Sequence, residues 1–86
     1  MSTKPKAAKA PNLFLKSGKE AVVLRKKLGL NQSDFWSKIA VTQSGGSRYE
    51  SGRSIPRPVQ ILLHLTYAPE AQVLAMLNYL RIVREQ

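Results

Sequence analysis

Eighty-six residues hold one small domain and leave no room for a second core. Fourteen Lys and Arg against five Asp and Glu give a formal net charge of +9 and a pI near 10.4, which points to a polyanionic partner. No apolar run approaches the roughly 18 residues of a membrane span, MSTKPKAAKAP lacks the apolar centre of a secretory signal, and a chain without cysteine has neither disulfides nor thiolate metal sites.

A membrane surface is the rival polyanion, but the basic residues are scattered over several elements rather than set along one amphipathic helix. The charge is also uneven. Residues 1–19 carry Lys4, Lys6, Lys9, Lys16 and Lys19 and no acid, so more than half of the net charge lies in the first fifth of the chain. The stretch 1–16, with Pro5, Pro11 and three alanines near its start, reads as a flexible basic arm before a domain over 17–86. Two readings of the arm are open: a contact with a polyanion, or a solubilising tail.

The elements follow in chain order. Asn12-Leu13-Phe14-Leu15 is a short apolar patch, expected to pack back on the first helix rather than to pair as a strand. Ser17-Gly18-Lys19-Glu20 has the form of a capping box and starts helix 1 near Gly18. Ala21, Leu24 and Leu28 recur at helical spacing, and Gly29 supplies the left-handed stop. Asn31 caps helix 2, with Asp34 in its first turn and Phe35, Trp36 and Ile39 facing inward. Thr42 caps helix 3, which runs from Gln43 to about Ser51 and ends at Gly52.

Ser54-Ile55-Pro56-Arg57-Pro58 is a loop, because each proline disfavours helix in the residue before it. Pro58 suits the first turn of helix 4, which continues through Val59, Leu62, Leu63 and Leu65 to about Tyr67. Pro69 and Glu70 open helix 5, where Val73, Leu77, Leu80 and Arg84 follow on one line. Leu74, Met76, Ile82 and Val83 make that helix apolar beyond one stripe. The fold class is all-α, with five helices.

The run Leu24-Arg25-Lys26-Lys27-Leu28-Gly29-Leu30-Asn31-Gln32, then Gln43, Ser47-Arg48-Tyr49-Glu50, Gly52 and Pro56, resembles the Cro and phage-repressor (Xre-like) helix-turn-helix family over about residues 20–67. The resemblance implies a lambda-repressor-like bundle whose helices 2 and 3 form a helix-turn-helix, binding duplex DNA as a two-fold dimer. It also implies a salt bridge between Arg25 and Glu50. With helix 3 in the major groove, Gln43, Ser44, Ser47 and Arg48 are the expected readers of base edges. Gln43 suits adenine and Arg48 guanine, each pairing worth about 1–3 kcal/mol of discrimination. Asn31, Gln32 and Thr42 at the helix starts, with Arg53 and Arg57 after helix 3, are the expected phosphate contacts. The competing reading of these residues is a solvated polar face.

The chain departs from the family pattern at three positions, with Trp36 for alanine, Ala40 for glycine, and Gly46 for isoleucine or valine. Trp36 and Gly46 would face each other where helices 2 and 3 cross, so the indole is expected to fill the space over Gly46, a volume-conserving exchange. Ala40 stands at a turn position that often wants a positive φ. Gly45-Gly46 leaves two possibilities: a frayed helix 3, or one whose backbone comes unusually close to DNA.

Catalysis finds no support, because the five acids are dispersed and His64, alone among leucines, has no companion ligand. Neither metal nor cofactor is expected. The surplus apolar face of helix 5, at Leu74, Leu77, Leu80 and Ile82, is expected to be an interface, first for a homodimer and second for a different protein. A weaker similarity to the DNA-binding part of MqsA-type antitoxins, through Ser47–Pro58 and Leu62-Leu63, implies a toxin as that second partner. The expected function is that of a cytoplasmic, nucleoid-associated transcriptional repressor on an inverted repeat. The alternatives are an antitoxin-like autoregulator and a non-specific nucleoid protein.

Overall fold

A computed structural model describes residues 10–84. It holds five helices and, among the described residues, no strand: α1 (Gly18–Leu28), α2 (Gln32–Ser37), α3 (Gln43–Glu50), α4 (Arg57–Tyr67) and α5 (Glu70–Arg84). The boundaries follow from local chemistry. Ser17 Oγ accepts from the Glu20 N–H at 3.2 Å, Asn31 Oδ1 from Asp34 at 2.7 Å and Thr42 Oγ1 from Gly45 at 3.1 Å, each satisfying an N–H that its helix leaves without a partner. The box at α1 closes one residue early, since Glu20 Oε1 takes the N–H of Lys16 at 2.8 Å. Gly29 stops α1 in the left-handed region at φ 73°. α3 is regular across Gly45 and Gly46, so the frayed alternative is set aside.

The core is built from Leu15, Ala21, Phe35, Trp36, Ile39, Ile55 and Leu63, with Tyr49, Val59 and Tyr67 among the residues packed around it. The Phe35 and Tyr67 rings stack with centroids 4.4 Å apart, and the Tyr67 hydroxyl donates to the Phe35 carbonyl at 2.6 Å. Burial holds that phenol above its ordinary pKa. α1 meets α3 backbone to backbone, because a Cβ on Gly18 would run into the carbonyl oxygen of Tyr49.

Two expected inward residues turn outward. Leu28 is 49% exposed, although Arg25 in the same last turn of α1 reaches Glu50 of α3. Leu62 is 43% exposed, while Leu63 and His64 take the buried positions of α4. Met76, counted above with the surplus face of α5, is fully buried.

Of the segment 1–16, residues 1–9 lie outside the described residues. Leu15 enters the core, and the Phe14 N–H donates to His64 Nδ1 at 3.0 Å. A main-chain N–H only donates, so Nδ1 is the acceptor and the Nε2 hydrogen goes to the Gln72 carbonyl at 2.9 Å. The imidazole thus joins the N-terminal segment, α4 and α5; Phe14 and Leu15 pack at the core, with the hydrogen bond running to α4, where the sequence suggested packing on the first helix.

Candidate nucleic-acid interface

α2, the turn at Lys38–Val41 and α3 form a helix-turn-helix. Ala40 takes φ 63° in that turn, a left-handed conformation that costs a non-glycine residue roughly 1 kcal/mol or more. Where α2 crosses α3, the Trp36 indole lies on Gly46 so closely that a Cβ there would overlap the ring. The expected exchange of bulk between these positions is met.

Beneath the crossing, one carboxylate gathers four donors. Glu50 Oε2 accepts from Arg25 Nε at 2.8 Å and from Trp36 Nε1 at 2.8 Å, and Oε1 accepts from Arg25 Nη2 at 2.9 Å and from Gln32 Nε2 at 3.0 Å. Arg25 Nη1 donates to the Leu30 carbonyl at 3.0 Å, tying the α1–α2 loop to the same group. The paired side chains are only 14% and 6% exposed. Burial alone would lift the Glu50 carboxyl, but the hydrogen bonds from Arg25, Trp36 and Gln32, with the Arg25 charge, outweigh it and hold the group below the ordinary carboxylate range. The bond to Glu50 in turn raises the Arg25 guanidinium above its ordinary value.

The network continues to the surface, where Gln43 Nε2 donates to Gln32 Oε1 at 3.1 Å. Gln32, expected only as a phosphate contact, is therefore also the link between Glu50 and Gln43. Ser44 and Arg48 are exposed and Ser47 is half-buried, and among the described residues their side chains make no hydrogen bond. Asn31 and Thr42 spend one side-chain oxygen each on their caps. Arg53 and Arg57 project into solvent after α3. On α5, Leu74, Leu77 and Ile82 are 52%, 38% and 47% exposed, while Leu80 is half-buried.

Residue reasoning missed three contributors: the Trp36 N–H on Glu50, the barred side chain at Gly18 and the latch at His64. A buried indole needs an acceptor, which was the available signal for the first. The other two depend on elements far apart in sequence and had none.

The sequence of RsaL-like helix-turn-helix domains matches residues 22–66, just over half of the chain, from within α1 to the end of α4. The chain belongs to that family. Its helix-turn-helix is thus a DNA-binding domain. Comparison with curated proteins and with solved structures finds no match. Among the described residues, no helix is long and apolar enough to cross a membrane, and no three His, Cys, Asp or Glu side chains gather as a metal site would require.

Proposed function

We propose that the protein is a non-enzymatic transcriptional regulator that binds duplex DNA sequence-specifically, as a repressor of the Cro and phage type does. It would act as a two-fold dimer on an inverted repeat. The observation that carries this reading is the division of labour on α2 and α3. Their inner side chains are committed to Glu50 and Trp36, while Ser44, Ser47 and Arg48 are unspent beside a held Gln43. These four read base edges, and Asn31, Gln32, Thr42, Arg53 and Arg57 hold phosphates.

Fluorescence anisotropy against the gene's own upstream DNA and a scrambled duplex, at two salt concentrations, tests it. A preference of about 10³-fold at the higher salt is expected, with Gln43→Ala and Arg48→Ala erasing it. Equal binding to both duplexes, abolished by salt, would overturn it in favour of a nucleoid-type binder.

The outward Leu74, Leu77 and Ile82, continued by Leu80, supply the dimer face. Sedimentation should give a dimer that Leu77→Asp splits. A wild-type monomer would instead favour the antitoxin-like alternative, in which the same face holds a toxin.

A further inference from the structure

Four cations from two distant stretches of the chain meet beyond the C-terminal end of α3. Lys16 and Lys19 stand with Arg53 around an open hollow of about 310 Å³ floored by Ile55 and Gln60. An adjoining hollow joins Lys16 to Arg57. The grouping is built into the fold. Gly18 is seated on the Tyr49 carbonyl, which brings the start of α1 against the end of α3, and Gln60 Nε2 donates to the Lys16 carbonyl at 3.1 Å, which draws residue 16 onto α4.

All four cations are exposed, and the ion pair found among the described residues is Arg25–Glu50, so none of the four has a carboxylate partner there. The nearby Glu20 carboxylate is turned onto the Lys16 main-chain N–H. Four exposed cations beside a single carboxylate leave a surplus of positive charge that favours an anion.

We infer that Lys16 and Lys19, with Arg53 and Arg57, form a clamp for the DNA sugar–phosphate backbone, separate from the recognition helix; the inference rests on the DNA-binding reading above. α3 has eight residues, so it is about 12 Å long, close to the width of the major groove. The proposed phosphate contacts at Asn31, Gln32 and Thr42 lie at the starts of α2 and α3, and the clamp stands beyond the C-terminal end of α3. The clamp would thus reach phosphates that the helix starts do not. The clamp adds affinity and register but no base preference, since phosphates are alike at every step.

The test is the salt dependence of binding by the full chain. Each neutralised phosphate contributes about −0.9 to the slope of log K against log salt, so Lys16→Gln/Lys19→Gln should flatten the slope by about 2 and leave the native-to-scrambled ratio unchanged. Each single variant should account for about half. Lys26→Gln/Lys27→Gln, which removes the same charge from exposed positions in the last turn of α1, should change the slope far less. Near-ultraviolet circular dichroism of Trp36 reports that the variants fold; the hydrogen bonds at Lys16 are main-chain ones and survive substitution. Equal slopes for the clamp and control variants would overturn the clamp while leaving wild-type specificity intact. A wild type with no preference between duplexes would instead remove the reading on which the clamp rests.

Discussion

Glu50 ties α3 to α1 and α2, because each of its oxygens accepts two hydrogen bonds and the donors come from those two helices. Glu50→Gln would leave the Arg25 guanidinium, 14% exposed, without its counter-charge. Breaking a buried pair from one side costs about 3–5 kcal/mol, which urea unfolding of the variant should register. The pH dependence has a definite sign. The folded carboxyl titrates below its unfolded value, so its stabilisation is complete above the ordinary glutamate range and is lost as the pH falls through that range to the folded value. Glu50→Gln should therefore be nearly as stable at acid pH as wild type, with the gap opening toward neutrality. The ion pair was legible from the family pattern, but the contributions of Gln32 and Trp36 were not, since no spacing rule brings residues 32, 36 and 50 to one point.

At the scale of elements, the crossing of α2 and α3 is an exchange of volume. Trp36→Ala alone should cost about 3–5 kcal/mol through the cavity it opens, and Gly46→Val alone should destabilise by overlap with the indole. The double variant should be more stable than the sum of the two losses allows, a coupling measurable by a double-mutant cycle, with incomplete recovery because Glu50 loses its indole donor. The turn between these helices offers a gain. Ala40→Gly relieves the φ of 63° and should raise stability by about 0.5–1 kcal/mol in thermal or urea unfolding.

The helix ends were readable residue by residue because caps act over three or four positions, as at Ser17, Asn31 and Thr42. The outward turn of Leu28 and Leu62 was not readable. A helical stripe tells which residues share a side, not how far along the helix a neighbour covers it. The same locality explains the family result. The motif residues identify a helix-turn-helix, and the family that matches over residues 22–66 is the RsaL-like one.

For the whole molecule, the bundle is held at its second end by His64. This imidazole is the point at which the N-terminal segment, α4 and α5 are joined. His64→Leu would preserve bulk but strand the Phe14 N–H and the Gln72 carbonyl, each unmade bond costing about 1–3 kcal/mol. Hydrogen exchange should then quicken at the Phe14 amide and in the first turns of α5 while the amides of α2 and α3 keep their protection, because Glu50 and Trp36 hold the other end independently.

The chain of bonds from Glu50 through Gln32 to Gln43 also bears on the thermodynamics of recognition. A free glutamine on a protein surface samples many rotamers, and stilling such a side chain on association costs about 0.5–1.5 kcal/mol. The bond to Gln32 restrains Gln43 before any encounter, so under the proposed reading its contact with a base edge should carry a smaller entropic penalty than that of Arg48. Calorimetry of Gln32→Ala would expose the difference as a less favourable binding entropy, even where Gln43 itself is unchanged.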